Sequence, residues 1–563
     1  MTQKKWHIRT QNPQLQAAFT NSLNIHPIVS QLLINRGVDT IDGARDFLSA
    51  DLSSLHDPFL FKNMDIAVTR IKKAKDKKEC ILIFGDYDVD GVSSSVLLKK
   101  TLTIMGIEAV NYIPHRMSEG YGLNHAIVQI AKDKGVSLLI AVDCGINAFT
   151  QIDALNENGI DVIVLDHHEP SDNKLPQAAA IINPKQKDCR YPFKGLASVG
   201  LVFKLTQALL GKTPEDILDL VALGTISDVA ELIGENRIFV KEGLKRISTT
   251  KNKGLLALMD VARIKGKKIR PYHVGFILGP RINATGRIAS AEKSLNLFLS
   301  ETTQEAHALA KELEENNKSR QKTQSNILEE ALSLVEREVN FKDHQIIVIS
   351  KEGWHRGVLG IVAARLMDTY YRPAIVISLE NGIGVGSARS IDGFHLFEAL
   401  THCSSLLENY GGHEHAAGLT IKKENIDSFR VRINQFSKDV IDTKMFMPTL
   451  EIDCEIPILQ ATLDLVKTIE TLEPFGEGNP APIFCSRQLA LKSTPLLMGR
   501  DTLKFWVSDG KITVQAVGFG MAKFYDLVAN AKTIDLAYTL AIDDWKKDPI
   551  IQLEIKDIKS NEG

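Results

Sequence analysis

The chain has little of what several kinds of protein require. Its 563 residues include six cysteines, at 80, 144, 189, 403, 454 and 485, none in CxxC spacing. A disulfide scaffold and a thiolate zinc site are therefore not expected, and the thiols read as reduced core residues of a cytoplasmic protein. No run of 18 apolar residues occurs, and the opening MTQKKWHIRTQNP has no apolar stretch of the signal-peptide kind. That predicts a soluble protein with no secretory signal and no membrane partner. No GxxxxGK[ST] loop is present, which argues against nucleotide-driven motor work. Charge of one sign is missing too, since 67 Lys and Arg stand against 69 Asp and Glu, for a net charge of −2. A globally basic polyanion binder is excluded; a local basic channel is not.

What is there begins at Cys80 to Gly91, CILIFGDYDVDG, where an apolar run breaks into Asp86, Asp88 and Asp90 at alternate positions. The run reads as a buried strand and SSSVLLKKTL as the helix after it, so the acids sit at the carboxyl end of a strand, the ligand-binding edge of open α/β sheets. Acids this close repel one another unless a cation holds them; for this stretch alone, a solvated acidic turn is the alternative. SLLIAVDCG ends in Asp143, and IDVIVLDHH ends in Asp166, His167 and His168. Asp228 follows the apolar VALGTIS, in a segment whose Pro214 and two acids suit a helix start. A doubly wound sheet would bring all of these to one crevice. Oxygen-rich donors with one or two imidazoles suit Mn²⁺ or Mg²⁺, and their number exceeds what one ion needs. Two ions about 4 Å apart, sharing a carboxylate, suit phosphoester hydrolysis.

At this length about two to four domains are expected. Residues 1–300 read as an α/β catalytic domain, whose first 60 residues form a packing extension without chemistry of their own. VARIKGKKIRPYH clusters Arg263, Lys265, Lys267, Lys268 and Arg270, by default a solvated loop and otherwise a phosphate-tracking patch. GPRINATGRI interrupts apolar sequence without a helical pattern; its glycines allow close backbone approach, Asn283 stands between, and Arg281 and Arg287 can grip phosphate bidentately. Residues 301–340, free of Pro and Gly to Val339, read as a long connecting helix. From 341 to 443 a second α/β pattern carries glycine-rich corners beside Ser387, Arg389, His413 and His415, an arrangement that cradles phosphate. Residues 444–563 alternate apolar and polar side chains with turn signals such as SDGK, which suits a small antiparallel barrel of the OB kind. Phe505, Trp506, Tyr538 and Trp545 offer stacking faces there or fill its core.

GDYDVDG, VDCG, LDHH and TISDVAEL resemble the four motifs of the DHH phosphoesterase family, and GGHEHAAG with SARS resembles its companion DHHA1 domain. GYGL at 120–123, GPRINATGRI and the barrel-like tail narrow the likeness to the single-strand-specific exonuclease branch of that family. Position by position, the resemblance implies one ion on Asp90, Asp143, His167 and Asp228, and a second on Asp88 and the shared Asp143, with Asp86 as a further candidate. His168 would face the scissile phosphate, Asp166 would orient a histidine, and Arg116, Arg281, Ser387 and Arg389 would line the substrate path or meet a terminal 5′-phosphate. It further implies processive 5′→3′ degradation of single-stranded DNA to mononucleotides in recombination and repair, with a helicase and a single-strand-binding protein as partners. Two rival readings remain. A DHH enzyme of short oligonucleotides or cyclic dinucleotides would lack the strand-rich tail. A non-catalytic DNA-binding scaffold would have damaged metal motifs.

Overall fold

The computed structural model describes residues 4–120, 122–171, 174–499, 501–543 and 550–561, so Tyr121 of the GYGL motif and Trp545 lie outside it. The chain forms two compact units, one of residues 7–283, 291–311 and 451–561, the other of residues 4–6, 284–290 and 312–450.

In the first unit a five-stranded parallel sheet has the order Ala109–Tyr112, Cys80–Gly85, Val136–Val142, Asp161–Leu165, Ala180–Ile182. Alternate residues of these strands enter separate cores: Ile81, Ile83 and Ile140 belong to one, Leu82, Phe84 and Leu139 to the other. Both faces are thus covered, which is why the strands read as continuous apolar runs rather than as alternating ones. The chain reverses direction across the sheet beside Cys80–Gly85, so that the carboxyl ends of Cys80–Gly85 and Val136–Val142 flank the topological switch point.

VALGTIS belongs to the helix Leu218–Ser227, so Asp228 is delivered by a helix C-terminus and not by a strand. GPRINATGRI differs from the sequence expectation, because Gly279–Ile288 is helical. Pro280 lacks an amide donor, and the wider π-helical turn Val274–Leu278 before it accommodates that loss. Gly279 serves packing rather than ligand approach, since a Cβ there would lie 2.9 Å from the Ser227 hydroxyl.

The N-terminal helices also depart from expectation. Phe19, Val29, Leu32 and Leu33 share their core with Ile458, Leu465, Phe484 and Phe505 of the tail, not with the parallel sheet. The buried side chains of these short helices are too few to make a core of their own, and the tail supplies the rest of it. Five tail strands, Phe484–Leu491, Thr502–Ser508, Thr513–Phe519, Thr533–Asp543 and Ile550–Asn561, pair in a ring that closes through Ala490 opposite Ser508. Phe505 and Tyr538 are buried inside it, whereas Trp506 is half-buried.

The second unit holds a mixed sheet in the order Leu407–Gly412, Ala416–Lys422, Ile383–Arg389, Ala374–Glu380, Ile347–Glu352. The expected long helix runs Thr303–Glu338; residues 303–311 count with the first unit and 312–338 with the second.

Within the first unit, Arg237 ties three segments together. Its buried guanidinium donates to the carbonyls of Phe47 at 2.8 Å, Leu472 at 2.9 Å and Glu473 at 3.0 Å, and its centre stands 4.0 Å from the Phe47 ring centroid. Burial, with the charge of Arg36, lowers its pKa to about 10, so it stays charged at neutral pH. Arg237→Ala leaves three acceptors without their donor. It is expected to cost about 3 kcal/mol or more, read as a lower urea midpoint at unchanged m-value.

Candidate metal centre

The strand Cys80–Gly85 ends directly in Asp86, and the helix Val89–Ile104 starts three residues later. Asp88 caps that helix, its Oδ1 accepting from the Gly91 amide at 3.0 Å, which fixes the carboxylate at the mouth of the turn. The turn is tight enough to require glycine at 91, because a Cβ there would meet the Asp86 backbone at 2.5 to 2.7 Å. Asp90 points inward, and its two oxygens accept from the amides of Ser198 at 2.7 Å and Val199 at 2.9 Å, at the start of the helix Ser198–Leu210. A helix N-terminus favours an anion, so this acid is held by fixed dipoles.

Across the switch point, Asp143 follows Val136–Val142 with φ of +64°, a left-handed conformation that an aspartate tolerates at some cost. Val229, next to Asp228, has φ of +59°, a costlier position for a β-branched residue. Left-handed backbone thus falls at Asp143 itself and at the residue after Asp228. Among the described residues three donor sets form, each with its ligand atoms within 4.8 Å of one another: Asp86, Asp88 and Asp143; Asp90, His167 and Asp228; Asp143, His167 and His168. His167 Nε2 is 3.4 Å from Asp143 Oδ1, and its Nδ1 is 3.8 Å from Asp228 Oδ2. Asp166 is not among these sets. It accepts from His168 Nδ1 at 2.6 Å, from the His168 amide at 3.1 Å and from the Ile146 amide at 2.9 Å, the arrangement of a carboxylate that orients a histidine.

The electrostatics match a site built for cations. Burial and the charge of Asp88 push Asp90 up to about 7 and hold Asp86 well above the ordinary carboxylate range. Burial with Asp90 and Asp88 does the same to Asp143 and takes Asp228 to about 9. The His167 imidazole falls to about 4 through burial and the charge of His168, which leaves it neutral and able to donate a lone pair. Burial opposes charge on His168, yet the hydrogen bond and charge of Asp166 raise it. One oxygen of Asp86 is buried without a hydrogen-bond partner. An orphaned buried oxygen among carboxylates that cannot all ionise is what hard divalent cations relieve, so the donor set fits Mn²⁺ or Mg²⁺.

The remaining sequence candidates fall in both units. Asn283 accepts from the Val89 amide at 3.1 Å and so braces the acid-bearing turn. The Arg116 guanidinium stands 4.9 Å from the ring centroid of Tyr87, the residue between Asp86 and Asp88. Arg281 Nη1 donates to the Ile277 carbonyl at 2.6 Å. In the second unit, Ser387 and Arg389 crowd Gly360 near the start of the helix Leu359–Tyr370: a Cβ on Gly360 would lie 3.0 Å from both Ser387 Oγ and Arg389 Nη2. Arg287 donates to the Gly357 carbonyl at 3.2 Å beside them. His413 is exposed at a hairpin bend, its amide bonded to the Ala416 carbonyl.

Sequence reasoning missed the Ser198 and Val199 amides, because a backbone donor leaves no mark in composition. It also missed Lys185, whose charge acts on both His167 and Asp228 and which pairs with Glu169 at 3.2 Å. The only signal was the turn NPK after the last strand of the sheet.

Family models match residues 80–225 (DHH family, N-terminal domain), 343–439 (DHHA1 domain) and 452–557 (RecJ OB domain). The single-stranded-DNA-specific exonuclease RecJ of Bacillus subtilis is 39% identical over 561 residues, covering 99% of this chain and 71% of the relative. Its counterpart in Haemophilus influenzae is 32% identical over 557 residues, 95% of this chain and 96% of the relative. The crystal structure of Thermus thermophilus RecJ with Mn²⁺ superposes with a TM-score of 0.86 at 27% identity, covering 99% of this chain and 80% of that one. The Mg²⁺ complex of the same protein gives 0.80 at 26% identity, with coverage of 99% and 79%.

Carboxylates whose folded pKa is raised favour the native state while protonated and disfavour it once ionised. In the metal-free protein this stability is full below the unfolded carboxylate range and is lost as pH rises through about 7 for Asp90 and about 9 for Asp228. Thermal melts in chelator are expected to show a midpoint that falls from about pH 4 and levels off near pH 9. Mn²⁺ should remove most of that fall, and Asp228→Asn should shrink it.

Proposed function

Since the chain belongs to the RecJ family of single-stranded-DNA-specific exonucleases, we propose that it degrades a single DNA strand processively from the 5′ end to mononucleotides, using two divalent ions, Mn²⁺ or Mg²⁺. The reading rests above all on the convergence of Asp86, Asp88, Asp90, Asp143 and Asp228 with two imidazoles at one sheet edge. In it, Asp90, Asp143, His167 and Asp228 hold one ion, and Asp88 with the shared Asp143 and Asp86 holds the other. Bound there, such ions lower the pKa of a water and stabilise the attacking and leaving oxygens of a phosphoester.

The chain's own residues then divide the remaining work. Asp166 fixes the His168 ring and its protonation, and the 42% exposure of the His168 side chain lets a phosphate oxygen approach the ring. Arg116, steadied over Tyr87, supplies a planar donor fork for a neighbouring phosphate. Arg281 lines the same path, and Asn283 keeps the acid-bearing turn in place. In the second unit, Arg389, Ser387 and Arg287 read a terminal 5′-phosphate, with His413 at the margin. A strand-selective enzyme needs unwound substrate, which gives a helicase and a single-strand-binding protein as suppliers during recombination and repair in the cytoplasm. Among the described residues, no helix is long and apolar enough to cross a membrane.

The test is metal-dependent digestion of end-labelled single strands, duplexes and dinucleotides. Loss from the 5′ end of long single strands supports the proposal, and preference for the dinucleotide overturns it. Asp143→Ala is expected to abolish hydrolysis with the circular dichroism spectrum retained; turnover in that variant would reject the shared-ligand assignment. Arg389→Ala is expected to lower the preference for a 5′-phosphate over a 5′-hydroxyl about tenfold or more, with a smaller loss of strand affinity, read by paired kcat/KM values and a binding titration.

A further inference from the structure

Beside Asp228, in the first unit, lies an open groove of about 480 Å³. Its lining includes Ser227 and Val229, the two neighbours of Asp228, together with Tyr272, Phe276 and Phe475. Val229, Tyr272 and Phe276 are 66%, 63% and 72% exposed. The Tyr272 and Phe276 rings are stacked, with centroids 5.3 Å apart and planes inclined by 26°. They stand at the π-helical turn Val274–Leu278, a widened turn that recurs at functional sites. Large apolar side chains exposed this far and gathered in one place signal a ligand.

The charge beside the groove narrows the choice. Arg263, Lys265 and Lys267, on the loop leading into Tyr272, are exposed and form no ion pair among the described residues. Lys268 and Arg270 are turned instead toward Glu473 and Glu470. The basic loop does reach the aromatic turn: after burial, the charges of Arg270 and Lys267 are what lower the His273 imidazole, and that ring lies 5.9 Å from Tyr272. Flat apolar rings beside free cations fit a polyanion that carries flat apolar groups. The groove is lined by the residues on either side of Asp228, which puts it close to the metal centre, where a substrate strand must pass and a protein partner need not.

We propose that Tyr272 and Phe276 form a stacking subsite for unpaired bases of the substrate strand, with Arg263, Lys265 and Lys267 along its phosphates. The proposal rests on the exonuclease reading and adds to it a source of strand selectivity. Base faces in a duplex are already stacked on one another, so only an unpaired strand can offer them to these rings. Stacking of this kind tolerates any base, as an exonuclease requires.

The test is binding in chelator, without hydrolysis, of oligo(dT) and of an abasic strand of equal length that has the same phosphates and no bases. The parent is expected to prefer oligo(dT), and Tyr272→Ala/Phe276→Ala to lose about tenfold or more of that preference. Lys267→Ala should weaken both strands alike and reduce the salt slope by about 1. Tyr272→Trp should give a fluorescence signal that oligo(dT) quenches and the abasic strand does not. A double variant that keeps the parent's preference overturns the proposal, and so does a tryptophan at 272 that oligo(dT) leaves unquenched. Failure of the parent to digest single strands would instead sink the exonuclease reading, which the binding assay does not touch.

Discussion

Five carboxylates packed at one sheet edge cannot all stay ionised when most of their water has been removed, and this repulsion is the constraint around which the first unit is built. Each acid is managed differently. Asp88 leans on the helix it caps, Asp90 takes two amides at another helix start, and Asp143 is pinned by a left-handed backbone. None of these devices supplies a full positive charge. The protein therefore carries a stored demand for cations, and Lys185, which acts on Asp228 from the rim while paired with Glu169, only tempers it.

The same constraint explains why the site sits where it does. A parallel sheet covered on both faces keeps its strands rigid and dry, so acids placed just past their ends are held by a stiff frame rather than by a mobile loop. The switch point spreads the two neighbouring strands' exits apart, which leaves room for ligand atoms from separate segments to meet. Gly91 and Gly224 then let backbone and helix come close. At Gly224 a Cβ would lie 3.0 Å from an oxygen of Asp90 and 2.8 Å from a methyl of Val199, so a side chain there would push on the centre itself.

Much of this was legible in the sequence, for a physical reason. Strand ends announce themselves by an abrupt change from apolar to acidic, and Asp86, Asp88, Asp90, Asp143, His167 and His168 all stand at such changes. The long helix was equally plain, being an unbroken polar run without Pro or Gly. GPRINATGRI was misread because Pro280 and two glycines look like loop chemistry; a π-helical turn that absorbs a proline is a non-local accommodation that no short window displays. The partnership of the N-terminal helices with the tail was invisible for a related reason, since residues more than 400 positions apart meet only in the folded core. Backbone donors such as the amides of Ser198 and Val199 leave no trace in residue type at all.

The shared core of Phe19, Leu32 and Leu33 with Phe484 and Phe505 bears on modularity. The tail looks in sequence like a detachable accessory appended after residue 443, yet part of the apolar surface it covers belongs to the opposite end of the chain. The two termini are in effect one building block written in two instalments, so a cut that discards one instalment strands the other. Anyone seeking the smallest autonomous catalytic piece would have to trim both ends together, and any transplant of the barrel into another protein would have to bring the opening helices with it.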